Sequence, residues 1–106
     1  MAEDKGKIEQ IREQIRQFPT APGLYFMRDS KDAVLYIGKA KNLRSRVSSY
    51  FLPSSDIHSS RGPKIAEMLE QVCSVSFLET ESEVDAILQE ARLIKDIRPP
   101  YNTNLL

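Results

Sequence analysis

The amino-acid sequence predicts a small α/β domain of the α+β type, with a three-stranded, mostly antiparallel sheet flanked by about four helices. Three observations support this prediction. Apolar residues recur at helical spacing in four segments, three short segments have the composition of β-strands, and proline or glycine residues separate these segments. The chain has 106 residues, the size of one domain, so we expect residues 1–106 to form a single domain.

The first element is predicted to be an amphipathic helix over residues 4–18. Its apolar residues recur every three or four positions, which places them on one side of a helix. They are Ile8, Ile11, Ile15 and Phe18. Pro19 and the turn formed by residues 21–23 then end the helix.

The next two elements are predicted to form a β-hairpin. Residues 24–28 and residues 34–38 are rich in apolar and aromatic side chains, as strands are. The polar stretch 29–32 between them is short. Closely spaced strands that are joined by a polar turn pair in the antiparallel direction.

A short helix is expected after the hairpin. Asn42 is a suitable N-cap, and the apolar side chains that follow share one helical face. They are Leu43, Val47 and Tyr50. The stretch 53–62 is rich in serine and predicts a surface loop.

The second half of the chain predicts a helix, a strand and a final helix. Pro63 suits the first turn of a helix, whose apolar stripe would contain Ile65, Met68, Leu69 and Val72. Residues 74–78 alternate in polarity and predict the third strand. The last helix is predicted over residues 82–97, with Ser82 as its N-cap and the pair Pro99–Pro100 as its stop.

Composition sets limits on the class of protein. Hydrophobic residues make up 41% of the chain and charged residues 28%, the balance of an ordinary globular domain. No apolar run approaches the roughly 20 residues that cross a bilayer, and the N-terminus lacks a signal-peptide core. The single cysteine, Cys73, can form no internal disulfide and belongs to no zinc motif. We therefore expect a cytoplasmic protein.

The 15 basic and 15 acidic residues give a formal net charge of zero. This argues against a protein that holds nucleic acid through bulk charge alone. The distribution is uneven, however, because acidic residues collect between positions 79 and 85 whereas basic residues crowd the middle of the chain. The latter are Lys39, Lys41, Arg44 and Arg46. The composition therefore permits a nucleic-acid partner without predicting one.

The last predicted helix carries a carboxylate within an apolar arc. The main buried face is predicted to contain Val84, Ile87, Leu88, Ala91 and Ile94, widened on one side by Ala86, Leu93 and Ile97. Glu90 falls inside this arc. A buried carboxylate is unfavourable unless it is paired or bound to a metal. From the helix alone, Glu90 is either a metal ligand or an edge residue whose carboxylate reaches water or an ion-pair partner.

Two strand tyrosines, Tyr25 and Tyr36, are candidates for chemistry because of their neighbours. Strand tyrosines are usually packing residues. Gly23 and Gly38, however, lie two residues from the tyrosines and would let the backbone come close to a ligand. Lys39 follows directly, and a tyrosine near fixed cations loses its proton more easily and can serve as a general base.

The other cations of this region could serve the same site. Arg46 lies at the inner edge of the short helix, where a guanidinium could brace the oxygens of a phosphate under attack. Lys41 and Arg44 have two equally good interpretations. They either form a solvated face or contact phosphate groups of a nucleic acid.

Two motifs of the chain resemble a known signature. Gly23–Tyr25 followed by Tyr36–Gly38 resembles the paired motif of the GIY-YIG nucleases, with a leucine in place of the first isoleucine. The likeness continues through the run Lys39–Arg46, which includes the family's arginine ten residues after the second tyrosine. Glu90 and Asn102 match its metal-binding glutamate and its late asparagine. Five signature positions in register over nearly the whole chain make the resemblance specific.

Within this family the resemblance is closest to the N-terminal catalytic domains of the UvrC excision-repair nucleases, because residues 36–41, 93–95 and 98–102 are typical of them. Such domains incise DNA on the 3′ side of a lesion. UvrC-like chains continue into further domains, which engage the damage-loaded UvrB subunit and make the second cut. The resemblance therefore implies that this chain is a fragment of a longer multidomain protein and that its UvrB contacts lie elsewhere.

The resemblance also implies a chemistry, the hydrolysis of a DNA phosphodiester bond with one divalent metal ion, Mg²⁺ or Mn²⁺. Glu90 would bind the ion, with water in most other positions. A water molecule would attack in line, and either Tyr25 or Tyr36 would take its proton, with Lys39 helping to hold the phenolate.

Two further roles follow from the resemblance. Arg46 would stabilise charge on the phosphoryl oxygens, and Asn102 would orient the site or contact the DNA backbone. The cations Lys39, Lys41, Arg44 and Arg46 are the expected DNA-binding residues.

Two other functions remain open at this stage. The chain could be a free-standing GIY-YIG nuclease of a structure-specific or restriction-like kind, or a DNA-binding module that keeps the fold without the chemistry. The joint presence of the six candidate catalytic residues argues against a loss of catalysis. They are Tyr25, Tyr36, Lys39, Arg46, Glu90 and Asn102.

Overall fold

The structure of the protein is a computed structural model, and it describes residues 2–51 and 62–104. In chain order its elements are α1 (Ala2–Arg16), β1 (Gly23–Arg28), β2 (Val34–Ala40), α2 (Leu43–Ser48), α3 (Pro63–Gln71), β3 (Ser74–Glu79), α4 (Glu83–Ile97) and α5 (Pro100–Asn104). The predicted α+β class and the three-stranded sheet are confirmed. The predicted loop over residues 53–62 lies almost entirely outside the described residues.

The sheet has the strand order β2–β1–β3, and β1 is antiparallel to both neighbours. The turn between β1 and β2 is built on Asp29, whose carboxylate accepts hydrogen bonds from the backbone N–H groups of Lys31 and Ala33 at 2.9 and 3.0 Å. Asp and Asn start tight turns because their side chains bond the backbone in this way. Since β1 is central, β2 and β3 are both edge strands.

Both predicted N-caps are present. The side chain of Asn42 accepts a hydrogen bond from the backbone N–H of Ser45 at 3.0 Å, and the hydroxyl of Ser82 accepts one from Asp85 at 3.1 Å. Each bond satisfies an amide that the first turn of a helix leaves without an intrahelical partner. The helices α2 and α4 therefore begin where the sequence places them.

The chain turns sharply after α4. Arg98 has a left-handed backbone conformation (φ 53°), and its N–H donates to the carbonyl of Ile94 at 2.8 Å. The pair Pro99–Pro100 stops α4 as predicted, but Pro100 also begins the short helix α5, since proline suits the first helical position. The prediction of about four helices missed this element, so the described residues contain five.

Two apolar clusters lie on the two faces of the sheet. The larger cluster joins the sheet to α1, α2 and α3, and its buried residues include Ile11, Ile15, Phe18, Tyr25, Met27, Leu43, Val47, Met68 and Val72. The smaller cluster lies under α4 and contains Leu24, Ile37 and Ala86. Consequently α1 and α4 lie on opposite faces. No helix in the described ranges has the length and apolar character needed to span a membrane.

The buried face of α4 differs from the prediction. Val84, Ile87 and Leu88 were expected on this face, but they are 64%, 49% and 64% exposed. Ala86, on the widened side of the predicted arc, is buried instead, and Leu93 packs against the smaller cluster together with Ile94 of the predicted main face. Apolar residues of α4 occupy most of the circumference of this helix. The spacing of its apolar residues alone therefore does not decide which face packs against the sheet. The small Ala86 side chain lets the helix axis approach the sheet closely, and this fit decides which face is buried.

Candidate active site

The candidate residues meet at the edge strand β2, where side chains from both faces of the sheet come together. Successive side chains of a strand point to opposite faces, and the register pairs Gly38 with Tyr25 and Lys39 with Leu24. Tyr36 therefore shares the face of Tyr25 and the larger cluster, whereas Lys39 lies on the face covered by α4. The site is assembled around the edge of the sheet.

Three tyrosines form an aromatic cluster on the first of these faces. The ring centroid of Tyr25 lies 6.1 Å from that of Tyr36 and 6.0 Å from that of Tyr50, which is a favourable aromatic spacing. The hydroxyls of Tyr25 and Tyr50 are hydrogen-bonded at 2.9 Å. The sequence pattern indicates only a packing role for Tyr50. Tyr50 lies four residues after Arg46, and at helical spacing this places the two side chains on the same side of the chain. This spacing was the signal that could have identified Tyr50 as a residue of the site.

Arg46 brings a positive charge to this cluster. The central carbon of its guanidinium group lies 5.8 Å from the ring centroid of Tyr50, a cation–π distance. A hydrogen bond with the Tyr25 hydroxyl raises the pKa of Arg46. Arg46 is also exposed, so its guanidinium is accessible to an anion that approaches from solvent.

On the opposite face, the carboxylate of Glu90 lies 3.5 Å from the ammonium group of Lys39. The Glu90 side chain is only 20% exposed, whereas that of Lys39 is half exposed. Lys39 was expected to hold a phenolate, but in the structure its ammonium group lies against this carboxylate. The charge of Glu90 also acts on Tyr36, where it raises the pKa of the phenol. Glu90 therefore links the two faces electrostatically.

Burial raises the pKa of both strand tyrosines above the ordinary value of 10.0. For Tyr25 the loss of hydration is the largest cause, followed by the charges of Tyr50 and Tyr36, while the hydrogen bond with Arg46 acts in the opposite direction. For Tyr36 burial is again the largest cause. The expected effect of a nearby cation on these phenols is therefore present, but burial outweighs it in the protein alone.

This burial predicts a loss of stability at alkaline pH. A tyrosine whose pKa is raised on folding contributes stability that is complete below its unfolded value of about 10 and is lost as pH rises toward the folded pKa. We expect the thermal midpoint, followed by circular dichroism, to fall above about pH 10. The Tyr25→Phe variant should show a smaller fall than the wild type. Parallel pH profiles for the two proteins would contradict this attribution.

The two motif glycines accommodate protein atoms rather than a ligand. A Cβ atom on Gly38 would overlap the ring and hydroxyl of Tyr25, and one on Gly23 would overlap the carbonyl oxygen of Leu78 on β3. The close backbone approach expected at these positions is therefore present, but the approaching atoms belong to the protein. Gly38 is the residue that lets the Tyr25 ring cross β2.

We expect the Gly38→Ala substitution to be destabilising by about 1–3 kcal/mol, the usual cost of forcing extra volume into a packed site. The added methyl group would displace the Tyr25 ring and break its hydrogen bond with Tyr50. Chemical denaturation measures the loss. Gly6→Ala is the matched control, because a Cβ on Gly6 meets nothing within 4 Å and alanine favours the α1 helix. Similar stability changes in the two variants would contradict this prediction.

Asn102 closes the outer edge of β2. Its side-chain oxygen accepts a hydrogen bond from the N–H of Ile37 at 2.8 Å, and its side-chain nitrogen donates to the carbonyl of Ile37 at 2.9 Å. The amide thus pairs with the edge strand as a neighbouring strand would. Because Ile37 directly follows Tyr36, this two-point contact supports the first of the two predicted roles, the orientation of the site.

The four predicted DNA-binding cations do not form one patch. Lys39 and Lys41 lie on the α4 side, where they line a cavity of about 310 Å³ together with Glu83. Glu83 is also the ion-pair partner of Lys41, at 3.8 Å. Arg44 and Arg46 lie on opposite sides of α2, since two residues correspond to about 200° around a helix. The cations therefore do not line a single groove, and among them Arg46 is the one in contact with the tyrosine cluster.

Comparisons with known proteins identify related domains. Residues 21–103 match the family model of the UvrC-like GIY-YIG domain. The UvrABC system protein C of Bdellovibrio bacteriovorus is 48% identical over 99 residues, which are 93% of this chain and 15% of that protein. The protein of the same name from Trichlorobacter lovleyi is 45% identical over 96 residues, 91% of this chain and 15% of that protein. The chain thus spans about 15% of the length of these curated relatives.

Solved structures show the same fold. The GIY-YIG N-terminal endonuclease domain of UvrC from Thermotoga maritima, bound to its catalytic divalent cation magnesium, matches with a TM-score of 0.71 and 33% identity. The match covers 88% of this chain and 96% of that domain. A point mutant of the same domain, bound to its catalytic divalent cation, also has a TM-score of 0.71.

Proposed function

The chain belongs to the family of UvrC-like GIY-YIG domains, and on this premise we propose that it is a metal-dependent DNA endonuclease domain. It hydrolyses a DNA phosphodiester bond, in the manner of the 3′-incision domain of UvrC in nucleotide excision repair. The observation that carries this proposal is the position of Glu90, a largely buried carboxylate that faces Lys39 at 3.5 Å and acts on Tyr36 at the edge of β2. The magnesium-bound domain of Thermotoga maritima supports it.

A divalent ion such as Mg²⁺ or Mn²⁺ fits the residues at this position. The described residues contain no group of three or more acidic, histidine or cysteine side chains that could hold a metal. Mg²⁺ does not need one, because it commonly binds through one or two carboxylates and keeps several water molecules. Glu90 is accessible enough to provide that carboxylate. The ion would supply neutralisation of the negative charge on the departing oxygen.

Tyr36 is better placed than Tyr25 to take the proton of the attacking water. Tyr25 is 1% exposed, and its hydroxyl is already bonded to Tyr50. Tyr36 is only partly buried and lies within electrostatic reach of Glu90. A general base has to reach the proton that it removes, so accessibility favours Tyr36. The ring of Tyr25, 6.1 Å away, then helps to hold the ring of Tyr36 in place.

Arg46 and Asn102 complete the site in different ways. The exposed guanidinium of Arg46, held against the ring of Tyr50, would donate to the phosphoryl oxygens and stabilise their charge as the bond breaks. Asn102 would act through Ile37, by fixing the segment of β2 that carries Tyr36. Donors that are held in place before the reaction need little reorganisation during it, which is the source of their catalytic effect.

The same premise suggests the partner. The relatives are named as components of the UvrABC system, and they are several times longer than this chain. We infer that UvrB would be bound through other parts of such a longer protein, so that this domain would be delivered to its cleavage site. Such delivery is consistent with the formal net charge of zero, since a delivered domain needs little charge of its own to find DNA.

Nicking of supercoiled plasmid tests the proposed function. We expect the domain to convert supercoiled into open-circular DNA in Mg²⁺ or Mn²⁺ and to stop when EDTA is added. A preparation of an active-site variant, purified in parallel, controls for contaminating nucleases. If the domain binds duplex DNA but leaves the plasmid intact with both metals, the non-catalytic DNA-binding alternative is favoured.

A further inference from the structure

We propose that α1 and α2 form a second site for the DNA backbone, a cleft in which Arg12, Arg16 and Arg44 bind a phosphate further along the strand than the one under attack. This inference rests on the proposed nuclease function, which brings DNA to this surface. The family match covers residues 21–103, so Arg12 and Arg16 lie outside the matched segment. The site would therefore add α1 to the DNA-binding surface of this chain.

The cleft lies between α1 and α2, on the face of the sheet opposite to α4. Its volume is about 300 Å³, and its polar lining consists of Glu9, Arg12, Arg16, Arg44 and Ser48. Three guanidinium groups and one carboxylate give this lining a net charge of +2. A concave surface that concentrates one sign of charge attracts ions of the opposite sign. Because the whole chain is formally neutral, this positive charge of the cleft is a local excess.

Two of the three arginines are held by main-chain oxygens. The Nε and Nη2 atoms of Arg12 donate to the carbonyl of Phe51 at 3.1 and 3.0 Å. The Nε atom of Arg44 donates to the carbonyl of Phe18 at 2.8 Å. A neutral carbonyl positions a guanidinium without cancelling its charge. Both groups are therefore partly ordered before an anion binds, which lowers the entropy lost on binding.

Neighbouring carboxylates compete only weakly with a phosphate. Arg12 pairs with Glu9 at 3.0 Å and Arg16 pairs with Glu13, but all four side chains are partly or largely exposed, and exposed ion pairs are weak. Among the described residues, Arg44 has no acidic partner within ion-pair distance. A phosphate accepts two parallel hydrogen bonds from a guanidinium group, so it can replace these carboxylates as the partner.

The position of the cleft relative to the tyrosine cluster suits a continuous DNA strand. Arg44 and Arg46 are only two residues apart, about 3 Å along the axis of α2 and on opposite sides of it. Arg46 contacts the ring of Tyr50, and the next residue, Phe51, accepts the hydrogen bonds of Arg12. A strand held at Arg46 that crosses α2, a helix about 10–12 Å wide with its side chains, would thus bring a phosphate further along the same strand to the cleft.

Nuclear magnetic resonance tests this site directly. The ¹⁵N-labelled protein is titrated with a short DNA duplex in EDTA, which prevents cleavage, and the Nε–Hε resonances of Arg12 and Arg44 are followed with the backbone amide of Ser48. We expect all three to shift and the shifts to decrease with added salt. In the Arg16→Gln variant the affinity should fall several-fold, and the slope of log affinity against log salt should decrease by about one, the effect of one lost phosphate contact.

Arg92→Gln is the matched control, because it removes the same charge from an exposed position on α4, on the other face of the sheet. It should leave affinity and salt slope near the wild-type values. If millimolar duplex shifts the resonances of Arg46 and Tyr36 but not those of the cleft, the second site is wrong and the nuclease proposal stands. The second site is also wrong if neither the resonances of the cleft nor those of the active site shift. Equal DNA affinities of the Arg16→Gln and Arg92→Gln variants would overturn the second site as well. Failure of metal-dependent plasmid nicking would instead contradict the proposed catalytic function.

Discussion

Replacement of Glu90 by glutamine is expected to abolish metal-dependent nicking while the fold is retained. Glutamine keeps the size of the side chain between α4 and the edge of β2 but removes the charge that would bind the ion. Stabilisation of transition-state charge by a metal is worth several kcal/mol, so its loss corresponds to a decrease of about 10³-fold in the nicking rate. The ion pair with the half-exposed Lys39 contributes at most about 1 kcal/mol to folding, so the thermal midpoint should change little.

Glu83→Gln is the matched control for this substitution. Glu83 lies two turns earlier on α4 and also pairs with a lysine, Lys41, at 3.8 Å, but it is remote from the tyrosine cluster. Its variant should nick plasmid at the wild-type rate. Binding of Mn²⁺, measured by calorimetry, should be lost only in Glu90→Gln. If Glu90→Gln nicks as fast as Glu83→Gln in parallel preparations, Glu90 has no part in the reaction.

The second large effect is expected for Tyr36→Phe, which removes the hydroxyl proposed to take the proton of the attacking water. Proton transfer by a positioned side chain contributes about 10²–10⁴-fold to a rate, and the nicking rate should fall within this range. Tyr101→Phe is the matched control. The hydroxyl of Tyr101 is bonded to Gln71 at 2.6 Å and to Glu67 at 3.0 Å, outside the cluster of Tyr25, Tyr36 and Tyr50. After correction for the folded fraction, this control should have wild-type activity.

The dependence of the rate on pH distinguishes a general base from a packing residue. Burial and the charge of Glu90 raise the pKa of Tyr36, so little phenolate exists near neutral pH. The wild-type rate should therefore increase with pH from neutral into the mildly alkaline range, and the residual rate of Tyr36→Phe should lack this increase. A wild-type rate that is independent of pH, or a Tyr36→Phe variant close to wild type, would remove Tyr36 from this role.

Much of the local structure could be predicted from the sequence because it depends on neighbours along the chain. Asn42 and Ser82 cap the helices that follow them, and Asp29 closes the hairpin turn through its own backbone neighbours. The interactions of a cap or a turn span three or four residues. A single sequence therefore contains all the information that these features need.

The orientation of α4 could not be predicted in the same way. Periodicity favoured a face that includes Val84 and Leu88, yet both side chains are largely exposed. Ala86, near the edge of the predicted arc, is the buried residue. Shape decides this choice, because the helix packs where a small side chain allows close contact with the strands, and shape is not visible in a polarity pattern.

By itself, the sequence determined the family, the α+β class and the identity of the candidate residues, since these depend on residue types at fixed spacings. The tertiary structure alone decided how those residues meet. It brings Lys39 to Glu90 from opposite elements, bonds the hydroxyls of Tyr25 and Tyr50, and places the amide of Asn102 against β2. Contacts between residues that are 25 to 65 positions apart depend on the packing of whole helices against an edge strand, and packing is a property of the folded chain.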